Sequence, residues 1–217
     1  MSSIRSIAII GSGISGSAAA YLLKDRYEVT LFEKNHYFGG HSNTIDMSLQ
    51  GKDVPVDTGF IVFNHQTYPN VVSFFKHLGI DTVQSNMSFG VSIDNGLIEY
   101  CGSSLSQFFA QRKNIVNPRF IRMGLDILKF NNRALETLHK SENQTIDDLI
   151  NTLGLSQSFK EWYLYPMAGA IWSTSVRDIG SFPARTMVQF FHNHGLLTIT
   201  NHPQWYTVKG GSRTYIE

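Results

Sequence analysis

Cysteine is nearly absent: Cys101 stands alone among 217 residues. A single thiol excludes an intramolecular disulfide and any cysteine-rich zinc site. Charge is scarce too, at 16% Asp, Glu, Lys and Arg, against roughly 25% in an average soluble domain. That shortage leaves apolar surface for a ligand or further protein to cover. The formal net charge of +1 argues against a general nucleic-acid binder, which carries a distinct basic excess. Long apolar runs are missing as well, because Gly, Ser and charged residues break each one before about 20 residues. Arg5 and the apolar run after it imitate a signal peptide, but a glycine turn interrupts at Gly11 and no small-residue cleavage site follows. The sequons at Asn86 and Asn143 therefore carry little weight, and the expected location is cytoplasmic. A chain of this length buries a sizeable core without a disulfide or metal, as one large domain or two small ones.

What is present begins at once. Ile4 to Ile10 is a short β-branched run suited to a buried parallel strand. Gly11-Ser12-Gly13-Ile14-Ser15-Gly16 follows and matches G-x-G-x-x-G, then Ser17 to Lys24 reads as a helix and Glu28 to Glu33 as a second strand. Strand, glycine turn, helix and strand are the context that this motif requires. Gly11 permits the tight turn, Gly13 lets backbone approach a pyrophosphate, and Gly16 lets helix pack closely on strand, while the helix N-terminus offers its free N–H groups. Glu33 ends the second strand, where a carboxylate accepts from both ribose hydroxyls and repels a 2′-phosphate, which disfavours NADP. An ordinary glycine turn is the bland alternative for the motif taken by itself.

Phe38-Gly39-Gly40-His41 comes a few residues after Glu33 and Lys34. With this second glycine pair, Val29 to Gly40 resembles the extended dinucleotide signature of FAD enzymes in the amine oxidase, phytoene desaturase and protoporphyrinogen oxidase superfamily. The resemblance implies FAD rather than NAD, with Gly39 and Gly40 approaching its phosphates and ribose. An Arg usually follows in that family; His41 stands there instead and offers a weaker, pH-dependent contact. It further implies that the small-residue turn at Thr58, Gly59 and Phe60 lies beside the flavin ring. Read from the residues alone, that stretch fits a strand with a glycine bulge equally well.

Further along, Thr67 to Gly79 has helical spacing with a glycine stop, and Met87 to Tyr100 reads as a hairpin turning at Asp94-Asn95-Gly96. Asn117-Pro118 opens a long helix, Thr145 caps another, and a third starts near Ser156 and meets Pro166. Arg112, Lys113, Arg119, Arg122, Lys129 and Arg133 face one acid, Asp126, between residues 112 and 133. An amphipathic basic helix there suits peripheral contact with anionic lipid; a solvated face over an apolar core side is the alternative. Trp172, Tyr163, Tyr165 and Phe182 read either as pocket lining or as core. His192, His194 and His202 invite a metal, because His-x-His on a strand aligns both rings, but no further ligand completes a set. No G-x-S-x-G elbow is present, so serine hydrolase chemistry is not expected.

Asp57 to Asn64, Ser85 to Phe89, Tyr165 to Met167 with Ala170 to Ser173, Asn193 to Gly195 and Lys209 to Arg213 narrow the resemblance. They resemble bacterial NAD/FAD-binding, amine oxidase-like proteins encoded beside cyclopropane-fatty-acid synthases. Members of that group are longer, which implies that this chain is their N-terminal portion and that a C-terminal half is missing. A doubly wound sheet also needs more than two parallel strands, and no further βαβ unit follows Glu33. The expected fold class is α/β: a Rossmann-like FAD-binding βαβ unit with a second α+β substrate-type domain of antiparallel strands and helices. Residues 1–65 are assigned to the first, 66–204 to the second, and 205–217 to a return into the FAD-binding domain. The expected cofactor contacts are Gly11, Ser12, Gly13, Ile14, Ser15, Gly16, Glu33, Lys34, Gly39, Gly40, His41, Thr58, Gly59 and Phe60. No metal ligand and no catalytic residue is named.

Two functions remain open at this point. One is an FAD-dependent oxidoreductase taking hydride from an amine or an apolar, lipid-like small molecule; the other is a non-catalytic nucleotide-binding module that partners a lipid-modifying enzyme. A use of FAD without net redox, as in related mutases, is a third. The motif cannot choose among them, since fold does not fix function.

Overall fold

Ser6–Ile10 (SIAII) forms β1 and Glu28–Phe32 forms β2, paired parallel with Ser6 opposite Glu28 and Ile10 opposite Phe32. Helix α1, Ile14–Leu23, connects them. It begins three residues ahead of the alanine-rich run, because Gly13 supplies an extended N-cap (φ −61°, ψ 172°) directly after the turn. These elements come from a computed structural model, which describes residues 5–137, 143–198 and 203–216. Two compact units emerge: Met1–Asn86 with Gln204–Glu217, and Met87–Pro203.

In the first unit, β3 (Thr44–Leu49) and β4 (Lys52–Asp57) form an antiparallel hairpin through Gln50 and Gly51, both at positive φ. Strand β5 is the short Phe63–Asn64. Pro69–Leu78 makes α2, closed by Gly79 at φ 68°, the left-handed C-cap that glycine adopts without strain. A three-stranded antiparallel sheet then places the chain's last strand at its centre. Trp205–Val208 pairs on one side with β5 and on the other with β6, Thr82–Ser85. Phe63, Phe75 and Val208 form the buried nucleus, with Phe60, Tyr68 and Tyr215 packed around it. The β1–β2 pair is the open part: Ile10 is 81% exposed and Phe32 52%, whereas parallel sheets ordinarily have both faces covered.

The second unit opens with a hairpin of β7 (Gly90–Ile93) and β8 (Ile98–Cys101). Leu97 N–H donates to the Asp94 carbonyl, and Asn95 and Gly96 between them both take positive φ, the backbone that an Asn-Gly turn provides. The short helix α3, Leu105–Phe108, precedes a 3₁₀ turn at Arg112–Val116. Helix α4, Pro118–Thr137, starts where Asn117 Oδ1 accepts from the Arg119 and Phe120 amides. Ile146–Leu153 is α5, opened by a reciprocal cap between Thr145 and Asp148.

The helix that starts near Ser156 and meets Pro166 continues past it. It runs from α6 (Gln157–Phe159) through a π segment, Lys160–Leu164, into α7 (Tyr165–Trp172). Proline lacks an N–H and clashes with the carbonyl four residues back. The π turn shifts the hydrogen-bond register, so Pro166 falls in the first turn of α7, where no donor is needed. Helix α8, Ala184–Asn193, completes the unit, and the last strand, Trp205–Val208, is β9. Phe120, Met123, Phe130, Leu149, Phe159 and Phe191 make its fully buried centre. The Tyr100 hydroxyl donates to the Trp162 carbonyl at 2.6 Å, which ties β8 to the π segment.

Candidate dinucleotide site

The glycine turn is held from beneath. Gly11 N–H donates to the Phe32 carbonyl at 2.7 Å, joining the end of β1 to the end of β2. Gly11 takes φ 93°, a left-handed value that glycine reaches at no steric cost. A Cβ at Gly16 would overlap the Gly11 carbonyl, so glycine is required there by packing of α1 on the turn. Gly13 differs: its φ is ordinary, and a Cβ would meet nothing within 4 Å. Nothing among the described residues demands glycine at 13. The space beside it is open, and α1 has no side-chain cap and no acid in its first turn. Its first amides, including those of Ile14, Ser15 and Gly16, thus present partial positive charge to that space.

Glu33 closes the side of the turn. Its carboxylate accepts from the Ser12 amide at 2.9 Å, from the Ser12 hydroxyl, and from the Asn35 amide at 2.8 Å. These bonds, the Asn35 amide first and then Ser12, hold its pKa down at about 2 from 4.5. Glu33 is therefore a fixed anion at the rim of the glycine turn. Ser12 is fully buried and also receives the Gly39 amide, at its carbonyl and its hydroxyl, both at 3.1 Å.

The second glycine pair packs on the first. Gly13 and Gly39 form an isolated parallel bridge, and a Cβ at Gly40 would stand 3.2 Å from the Gly13 Cα. Gly39 takes φ 110° and Gly40 φ 59°. Lys34 and His41 are exposed beside this junction. The His41 carbonyl accepts from the Phe60 amide at 2.7 Å, and a Cβ at Gly59 would overlap the His41 main chain. Thr58 exchanges bonds with Asn43, its amide donating to the Asn43 carbonyl at 2.9 Å. Thr58 and Gly59 are exposed, while Phe60 turns inward onto Phe63 and Tyr68. Of the two readings for this stretch, β4 ends at Asp57 and a bend follows; no bulged strand runs through Gly59.

Sequence reasoning missed Asp57 and Ser42. Asp57 Oδ1 accepts from Thr44 Oγ1 at 2.6 Å and from the Ser212 amide and hydroxyl at 2.8 Å each. Ser42 Oγ bonds Tyr215 Oη at 2.7 Å, and Arg213 grips Asp46. The turn at Gly210 to Tyr215 is thereby fastened to the β3–β4 hairpin. Gly211, at φ 90°, would drive a Cβ to 2.6 Å from Thr44 Cγ2. A small polar residue in a non-periodic stretch carries no sequence signal for such a bond across more than 150 positions.

His192 lies in α8 and His194 just after it, not on a strand, so residues two apart point to different sides. His194 stacks on Phe190 and its Nδ1 bonds the Phe190 carbonyl at 2.8 Å; His202 lies outside the described residues. Among the described residues no three His, Cys, Asp or Glu converge for a metal. Tyr163 is core, and Trp172 packs with Phe182 and Phe190. Tyr165 donates to Asp147 at 2.6 Å, and Lys160 pairs with the same carboxylate at 2.7 Å. On α4, Phe120 and Met123 face the core, Arg122 pairs with the buried Asp126 and Arg133 with Glu136. Ile121, Leu125 and Leu128 of the same helix are exposed. No described helix is long and apolar enough to cross a membrane.

A protein-family model described as an NAD(P)-binding Rossmann-like domain matches residues 9–78, which span the glycine turn, Glu33 and the second glycine pair. The chain is 29% identical over 148 residues to the 1-hydroxycarotenoid 3,4-desaturase of Flavobacterium sp. (strain P99-3), covering 61% of this chain and 29% of that one. It is 28% identical over 153 residues to the probable polyamine oxidase 4 of Arabidopsis thaliana, covering 70% and 28%. Among solved structures, the cyclohexylamine oxidase of Brevibacterium oxydans IH-35A matches with a TM-score of 0.67 at 17% identity, over 99% of this chain and 48% of that one. A putrescine oxidase bound to putrescine matches with 0.62 at 19%, over 99% and 48%. The fold is therefore mixed α/β with a Rossmann-like nucleotide unit, similar to part of each of these two solved structures. The chain spans about three-tenths of the curated relatives it matches and about half of the solved structures.

Proposed function

We propose that the first unit is the dinucleotide-binding part of an FAD-dependent, amine oxidase-like oxidoreductase that takes hydride from an amine or an apolar small molecule. The observation that carries this reading is the open space beside Gly13. Glycine stands where no atom of the described residues requires it, at the N-terminus of α1 that no side chain caps, with a fixed carboxylate at the rim. Those features fit a pyrophosphate and an adjoining ribose.

In this reading the amides of Gly13, Ile14, Ser15 and Gly16 hold the pyrophosphate, and Glu33 accepts from ribose hydroxyls with the lone pairs that Ser12 and Asn35 leave. The Glu33 anion also repels a 2′-phosphate, which weighs against NADP. Gly39 and Gly40, packed on the first turn, bring Lys34 and His41 to the phosphate side. Thr58, Gly59 and Phe60 carry main chain from the His41 segment toward the flavin ring. Bound FAD would supply the two-electron acceptor; the chain's own residues bind, orient and shield it. The same reading has further protein cover the β1–β2 sheet and complete the substrate side, as the greater length of the matched proteins supports.

The test is the visible spectrum of purified protein after FAD addition, followed by anaerobic bleaching with primary amines, polyamines and unsaturated lipids. A flavin bound and reduced by one class identifies the substrate. Protein that stays colourless, alone and in its longest natural form, removes the FAD assignment. A bound flavin that no donor reduces points instead to the non-catalytic module.

A further inference from the structure

In the 3₁₀ turn Arg112–Val116, side chains three positions apart eclipse one another. Asn114 points inward and is fully buried, so two rows remain outside: Arg112 with Ile115, and Lys113 with Val116. Each row sets a cation beside an apolar side chain in water. Val116 is 83% exposed and Ile115 49%. Gln111 fastens this turn to the β7–β8 hairpin. Its Nε2 donates to the Gly96 carbonyl at 2.8 Å, and its Oε1 accepts from the Glu99 amide at 3.0 Å. The exposed Leu97 is thereby held alongside. Arg119, one residue into α4, lies over the Trp162 ring at 4.6 Å. Among the described residues no carboxylate pairs with Arg112, Lys113 or Arg119. A cavity of about 260 Å³ opens among Leu97, Ile98, Lys113, Asn117, Arg119 and Trp162.

We propose that this corner of the second unit docks on a lipid surface carrying anionic headgroups. Val116, Ile115 and Leu97 enter the acyl boundary, while Arg112, Lys113 and Arg119 stay at the phosphates, their stems lying along the apolar side chains. Charge complementarity selects this occupant. Three cations with no carboxylate partner among the described residues, set beside exposed aliphatic side chains, suit an anionic bilayer. Glu99, the acid on the neighbouring strand, accepts from Ser92 Oγ at 2.9 Å and from Gln111 Nε2 at 3.5 Å and does not line the cavity. The surface shares Arg112, Lys113 and Arg119 with the basic stretch that the sequence suggested, but takes its apolar side chains from the 3₁₀ turn and the β7–β8 hairpin, since Phe120 and Met123 of α4 are core. The inference does not depend on the flavin reading.

The test is flotation of the purified protein with large vesicles of phosphatidylcholine alone or mixed equally with phosphatidylglycerol. Binding is expected to the mixed vesicles only and to fall as salt is raised. Each cation near such a surface contributes about fivefold, so Lys113→Gln with Arg119→Gln should weaken partitioning about 25-fold. Val116→Asp should abolish it without moving the thermal midpoint, because the side chain makes no buried contact. Equal binding to neutral vesicles, or variants that float like the parent, would overturn the proposal. So would sedimentation showing self-association that Val116→Asp removes while vesicles go unbound, which would identify a second copy as the occupant.

Discussion

Gly13→Ala and Gly16→Ala separate ligand space from packing space within one motif. At 13 the backbone already sits at φ −61° and ψ 172°, which alanine adopts freely, and a methyl meets no atom within 4 Å. Alanine is a poorer N-cap than glycine, by up to about 1 kcal/mol. The reduced entropy of the unfolded chain returns about 0.4–1 kcal/mol. Stability should therefore change by less than about 1 kcal/mol. The methyl would occupy the space assigned to the pyrophosphate and displace at least one charge-assisted hydrogen bond, at about 1.5–3 kcal/mol. Affinity for FAD should fall about 10- to 150-fold. At 16 the methyl overlaps the Gly11 carbonyl, a backbone atom that cannot swing away. Overpacking of that kind costs about 1–3 kcal/mol or more, so the thermal midpoint should drop by about 2–12 °C for a chain of this size. Circular dichroism melts and a flavin fluorescence titration read the two effects apart. Gly13→Ala binding FAD as tightly as the parent would refute the pyrophosphate assignment. A melt lowered as far as that of Gly16→Ala would refute the claim of open space.

Glu33 has a folded pKa of about 2 against 4.5, so its stabilising contribution is full above pH 4.5 and is lost as pH falls toward 2. Glu33→Gln should flatten that part of a stability-against-pH curve and weaken FAD binding; an unchanged curve would mean that its bonds to Ser12 and Asn35 do not form in solution. Tyr100→Phe leaves the Trp162 carbonyl without its buried donor and should cost about 1–3 kcal/mol in a urea titration, an unmoved midpoint showing that water takes the place. Asp57→Ala removes one acceptor serving Thr44 and Ser212. It should expose the Gly210 to Tyr215 turn to proteolysis, and resistance equal to the parent's would count against that fastening.

Where local chemistry decides the backbone, the sequence was readable. The Asn95-Gly96 turn, the left-handed stops at Gly79 and Gly154, the Asn117 and Thr145 caps and the β1–α1–β2 unit each follow from a few adjacent residues. The glycine turn belongs with them, and so does the placement of Glu33 at its rim, because a strand of fixed length carries residue 33 to the end of β2. The hydrogen bonds that Glu33 makes to Ser12 and Asn35 were not readable, since they depend on rotamers and not on spacing.

What escaped depends on partners far along the chain. The β3–β4 hairpin lacks clean alternation because most of its side chains are exposed on both faces, so no buried face imposes a period. Strand β9 is short and unremarkable until β5 and β6 are seen to need a common neighbour. The π segment inverts an ordinary rule: proline predicts a helix end, and it fails here because Tyr163 and Leu164 before Pro166 and Met167 and Ala168 after it are all buried. Ending the helix before Pro166 would break that buried face, whereas one π turn keeps it and moves the missing donor to a position that needs none. Replacing Pro166 with Ala removes the reason for the shift. An amide hydrogen-exchange profile of the variant should then show Lys160 to Leu164 gaining protection as α-helical bonds re-form. Unaltered exchange there would mean that packing of Trp162 and Tyr163, and not the proline, sets the π register.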